Sequence, residues 1–218
     1  MNFLFSSLGK KIQVAITGIL LSTFLVFHLI NNLVLFTGPD NFNQMVSVLE
    51  SIKPIIRIME FGLLVIIVTH VVNAIYLTVS NKRAASNRYT GSSETSSLNS
   101  RTMIISGITI LLFFIIHLRY IWYTYQAHLF ADNETYYDVL LRDELGYLGH
   151  TPTAIFYIIA ILFIASHLKH GIQSALKTFG FTEDSKWKVL YSGSILFWGL
   201  IPFAFILIVI SIQLGIIS

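Results

Sequence analysis

The chain contains no cysteine. Thiolate-bound iron–sulfur clusters, zinc on sulfur and thioether-attached haem are therefore excluded within these 218 residues, and any metal centre must use other ligands. Charge is nearly as scarce. Only 11% of residues are Asp, Glu, Lys or Arg, 55% are hydrophobic and the mean hydropathy is +0.73, which rules out an ordinary soluble domain and leaves no broad basic surface for nucleic acid. Proline is limited to four positions. Pro54 and Pro152 fall at helix starts, where a missing N–H is tolerated, whereas Pro202 is expected to bend the helix that contains it.

What the chain does have is long apolar runs. Five are long enough to cross a bilayer core, which needs roughly 20 residues, at about 12–36, 55–79, 103–126, 152–176 and 189–214. The expected fold class is therefore all-α, a single membrane domain over residues 1–218 with five transmembrane helices. The first run follows Lys10 and Lys11 but exceeds a signal-peptide core and lacks a clear small-x-small cleavage site, so a retained helix is expected. Short loops rich in Lys and Arg stay inside. Lys10, Lys11, Lys82, Arg83, Arg88, Arg101, Lys169, Lys177, Lys186 and Lys188 share one side, and Lys53, Arg57, Arg119 and Arg142 fall on the other with five acids of the loop 132–144. This predicts the N-terminus inside and the C-terminus outside. Residues 80–101 form a polar, serine-rich connection on the inner side, suited equally to a solvated linker or a docking surface. The outer segments 37–54 and 127–151 carry enough Phe, Tyr, Leu and Val to fold as short amphipathic pieces on the membrane.

Four histidines, His28, His70, His117 and His167, each lie well inside a separate apolar run. An ionisable ring is costly in a membrane, so four of them ask for a common partner within the protein. Their surroundings repeat. Residues 17–29 (TGILLSTFLVFHL) match 106–118 (SGITILLFFIIHL) in a hydroxyl residue, Gly, Ile, Phe, His and Leu, while 69–74 (THVVNA) match 166–171 (SHLKHG). At a helical rise of about 1.5 Å per residue, His28 lies about 25 Å from Lys11 and His117 about 24 Å from Arg101, whereas His70 lies about 18 Å from Lys82 and His167 about 15 Å from Lys177. Two levels result, with His28 and His117 outer and His70 and His167 inner. The pairs suit two six-coordinate haems stacked in a bundle formed by the first four helices.

Gly18 and Gly107, ten residues before their histidines, and Ala74 and Gly171, one turn beyond theirs, would permit close approach of helices or of porphyrin edges. His170 competes with His167 as a ligand. Its repeat counterpart is Asn73, which assigns His170 to a supporting or propionate contact. His128 and His150 fall in the outer loop and read as surface residues. Arg119 is placed for the outer propionates, and Arg83, Lys169, Lys177 and His170 for the inner ones. Arg57 and Glu60, at i and i+3, read equally as an interfacial ion pair or as groups binding or protonating a quinone. Asn31 and Asn32 would satisfy backbone groups.

The segments FHLINNLVLFTGPDNFN (27–43), MEFGLLVIIVTH (59–70, with Met59 where the family has Leu), SRTMIISG (100–107) followed by His117–Leu118, and SHLKHGIQSALKTFG (166–180) carry a resemblance. With them the chain resembles, over nearly its whole length, the single-chain, five-helix, dihaem cytochrome b subunit of bacterial succinate dehydrogenases and fumarate reductases. The resemblance implies two haem b groups with axial ligands on His28, His70, His117 and His167, and menaquinone as substrate. It also implies an FAD-containing dehydrogenase subunit and an iron–sulfur subunit docked on the cytoplasmic face of the bacterial inner membrane, with the flavin and dicarboxylate sites in those partners. Some fumarate-reducing relatives carry a glutamate two residues before the fourth ligand. Here that position is Ala165, so their proton path is not expected. The alternatives are a cytochrome b anchor of a hydrogenase or formate dehydrogenase and, from another class, a proton channel or transporter with a histidine relay. The last would need polar residues between the two levels, which Ile, Leu, Val and Phe occupy instead.

Overall fold

In a computed structural model of the chain, residues 3–86, 98–181 and 185–218 are described. They form helices and no strand, and five helical stretches are long and apolar enough to span a membrane. Helix α1 (Ser7–Leu33) starts at Ser6, whose hydroxyl accepts from the Gly9 N–H at 3.0 Å. It ends in a 3-10 turn, Val34–Thr37, and Gly38, at φ +94°, reverses the chain into α2 (Pro39–Ser51), with Pro39 in its first turn. Helix α3 (Lys53–Ser86) crosses back, and α4 (Leu98–His117) returns through a π-helical turn, Leu118–Trp122, into the short α5 (Tyr123–Gln126). Helix α6 (Tyr136–Leu141) opens on a capping box in which Thr135 and Asp138 satisfy each other's backbone N–H groups. Then come α7 (Thr151–Thr178), α8 (Ser185–Gly193), a second π-helical turn (Leu196–Leu200) and α9 (Ile201–Gln213).

The connection expected over 80–101 is shorter than its composition suggests. Helix α3 continues to Ser86 and α4 begins at Leu98, leaving 87–97 outside the described residues. Lys82, Arg83, Ala84 and Ala85 are good helix formers, and a helix already nucleated in the membrane propagates through them. At Pro202, where a bend is expected, the helix changes to a π-helical turn just before the proline. Pro202 then occupies the first turn of α9, where its missing donor is least costly.

Helix α1 packs against α3 and α7, α4 packs against α7, and α9 lies on α7 and α1. The first four spans therefore touch in the order α3, α1, α7, α4, so α1 faces α4 across the bundle and α3 faces α7. One group of buried residues lies at one end, where α2, α6 and the loops around them meet: Leu35, Phe42, Tyr137, Val139, Leu140, Tyr147 and Leu148. This is the cap side. The other end, which holds the start of α1, the end of α3, the start of α4 and the end of α7, is the linker side.

Candidate functional site

Two pairs of imidazoles meet inside the bundle, each drawn from helices that face one another. The rings of His28 on α1 and His117 at the end of α4 have centroids 5.8 Å apart, with planes at 86°. Those of His70 on α3 and His167 on α7 are 6.4 Å apart, at 62°. Phe24 stacks on His28 and Phe113 on His117, each from one turn earlier in its own helix, and Phe205 of α9 packs on His28 from outside. The i, i+4 spacing of a helix makes each Phe a wall against its histidine.

Hydroxyl groups hold the second nitrogen of three rings. Thr17 Oγ1 lies 3.0 Å from His70 Nδ1, Ser106 Oγ lies 3.1 Å from His167 Nδ1, and the buried Tyr157 hydroxyl lies 3.2 Å from His117 Nδ1. Donor counting bears on the first two. Thr17 donates its one hydroxyl proton to the carbonyl of Gln13 at 2.7 Å, and Ser106 donates its own to that of Met103 at 3.1 Å. Each hydroxyl can then only accept from histidine, so Nδ1 carries the proton and Nε2 keeps its lone pair. Among the described residues no buried side-chain nitrogen or oxygen is without a partner, so the Nε2 atoms, which have none, are accessible rather than sealed in packing.

Two neighbouring imidazoles in an apolar interior suit a cation. No cluster of three or more His, Cys, Asp or Glu is present among the described residues, so a bare metal ion would be under-ligated. Iron already bound by a porphyrin needs only two axial imidazoles. With an iron–nitrogen bond of about 2.0 Å on each face, their centroids would stand about 6.3 Å apart, close to both observed separations. The donor set therefore fits two haems. A Cβ built on Gly18 would lie 3.4 Å from His70 Cε1, and one on Gly107 would lie 3.8 Å from His167 Cε1, so these glycines meet the other pair's rings. Gly171 has no neighbour within 4 Å of an added Cβ.

The remaining candidates are more scattered. His170 is half-buried, one turn from His167. Its counterpart Asn73 is buried and donates to Gln13 Oε1 at 2.9 Å, while Lys10 Nζ reaches Asn73 Oδ1 at 3.5 Å and lies over the Tyr76 ring. Lys10 was read from sequence only as an inner-side cation and Gln13 not at all, because their contacts depend on α1 lying beside α3. Lys169 sits over Trp198 and Lys177 over Trp187, Arg119 lies against Tyr120 and Tyr123, and Arg83 is exposed. Arg57 and Glu60 pair at 2.7 Å. Trp122 Nε1 donates to the other Glu60 oxygen at 2.8 Å and Arg57 also donates to Gln126, so the pair ties α3 to the turn after α4. Asn32 donates to the His28 carbonyl, as expected for a backbone-satisfying residue. His128 is exposed, but His150 is half-buried at the start of α7, with Nδ1 3.0 Å from Thr153 Oγ1.

Thr17 and Ser106 were visible in sequence only as the matched hydroxyls of the repeat. Tyr157 had no sequence signal, since tyrosine is common in apolar helices. No protein-family model, no curated protein and no solved structure matches the chain.

Proposed function

We propose that the chain is the dihaem cytochrome b membrane anchor of a succinate:quinone oxidoreductase, with one haem b between His28 and His117 and a second between His70 and His167. The observation that carries this reading is the crosswise pairing of imidazoles at a separation suited to bis-histidine ligation, with Nε2 left as the available nitrogen in His70 and His167. Haem held there would supply one-electron chemistry, with iron cycling between ferric and ferrous forms. The protein's part is to fix the imidazoles, wall them with Phe24, Phe113 and Phe205, and keep the interval between the levels apolar. The FAD-containing and iron–sulfur subunits would dock on the linker side, facing the cytoplasm. Electrons from succinate would then cross from that side to menaquinone in the bacterial inner membrane, or the reverse in fumarate reduction. Arg57 and Glu60, joined to Trp122 and Gln126, are the groups offered to a quinone head on the cap side.

The test is a reduced-minus-oxidised spectrum of the purified complex with a haem count, alongside succinate-dependent quinone reduction. Two b-type haems per chain are expected. His70→Ala or His167→Ala should remove one haem and leave the other, as should His28→Ala or His117→Ala. A preparation without haem sinks the reading, and haem without succinate-linked activity moves the chain to the anchor of a different oxidoreductase.

A further inference from the structure

The two imidazole pairs are not supported alike. On the linker side both rings are braced, His70 by Thr17 and His167 by Ser106. On the cap side Tyr157 braces His117, and no side chain among the described residues bonds His28 Nδ1. The bracing is also crossed. Thr17 belongs to α1 and Ser106 to α4, the helices that carry the cap-side ligands, each eleven residues before its own histidine. Each of these helices therefore supplies a ligand to one level and a hydroxyl to the other.

The repeat makes the linker-side arrangement symmetric. Thr17–Gly18 and Ser106–Gly107 are the same dipeptide type, with the hydroxyl against Nδ1 and the glycine against Cε1 of the facing ring. In both cases a carbonyl of the same helix is in reach of the hydroxyl proton, which leaves the oxygen's lone pairs for the imidazole. An acceptor on Nδ1–H pulls that proton outward, makes Nε2 more basic and fixes the ring's rotation about its own axis. A more basic axial ligand favours ferric over ferrous iron, and removing the acceptor does the opposite.

Resting on the haem reading above, we propose that Thr17 and Ser106 are positioning residues for the linker-side haem. They orient His70 and His167 and hold down that haem's reduction potential, while leaving the cap-side haem untouched. The dipeptide of a small hydroxyl residue and glycine is thus a cradle for the partner ring, with one atom as acceptor and the missing Cβ as clearance.

The experiment is a potentiometric titration of both haems in the intact complex, with electron paramagnetic resonance of the ferric signals, for Thr17→Val, Thr17→Ser, Ser106→Ala and Ser106→Thr. Valine keeps the shape of threonine and removes the hydroxyl, both as acceptor for His70 and as donor to its own helix. Thr17→Val and Ser106→Ala should each shift the linker-side midpoint upward and change that haem's low-spin signal, with the cap-side midpoint unchanged, and Thr17→Ser and Ser106→Thr should keep the parent values. Loss of the linker-side haem in Thr17→Val with retention in Thr17→Ser supports the same assignment. An unchanged midpoint in Thr17→Val, a shift of the cap-side haem instead, or equal loss in the valine and serine variants overturns it. Absence of haem from the parent complex would fail the haem reading itself, so the two failures are distinguishable.

Discussion

Arg142 ties four segments of the cap together. Its Nε donates to Glu134 Oε1 at 2.7 Å, Nη1 to the Tyr147 hydroxyl at 3.0 Å, and Nη2 to both the Leu129 carbonyl and Glu134 Oε2. The hydrogen bonds from Arg142 hold the Glu134 carboxyl below its usual range, and Glu134 in turn raises the guanidinium. A depressed carboxylate contributes stability that is complete above the unfolded glutamate pKa and is lost as pH falls through the lowered folded value. The cap should therefore hold at neutral pH and loosen only in acid below the ordinary glutamate range, which hydrogen exchange across residues 129–147 would follow. Arg142→Ala leaves a carboxylate without its partner and should destabilise the cap by on the order of 3 kcal/mol in thermal unfolding of the solubilised protein. Arg142→Lys should recover little, because an ammonium cannot reproduce the fork. The pair was legible in sequence only as opposite charges in one loop. The four membrane histidines were legible as a group, because an imidazole in an apolar run is costly without a partner inside the protein. Which hydroxyl faced which ring was not, because that depends on which helix lies across the bundle.

At the level of elements, apolar run length located all five long helices, and Pro54 and Pro152 located two helix starts. The two π-helical turns had no such signal. One follows His117 directly and contains Tyr120 and Trp122, whose side chains reach Gly146 and Glu60. Such a turn costs backbone regularity and is kept only where tertiary contacts repay it. Gly146 reflects the same fit: it sits at φ +101°, and an added Cβ would fall 2.1 Å from the Tyr120 ring. Gly146→Ala should therefore cost about 2–3 kcal/mol through both strain and overlap. The expected result is a lower unfolding temperature with early proteolysis at residues 143–149, whereas Gly180→Ala, with a similar φ of +85° but open space, should cost less.

For the whole molecule, the distribution of lysine and arginine predicts that a reporter inserted in 87–97 is read as cytoplasmic and one fused after Ser218 as external; the opposite pattern would invert the assignment of partner and quinone faces. The sequence by itself determined a helical protein with five spans, two histidine levels and a repeat, because a membrane tolerates few solutions for backbone and imidazole alike. The tertiary structure decided the contact order α3, α1, α7, α4, and with it the crosswise pairing, the bracing of His70 and His167 by hydroxyls from the opposite helices, and the knotted cap. These depend on distances between residues far apart in the chain, which periodicity along a single helix does not encode.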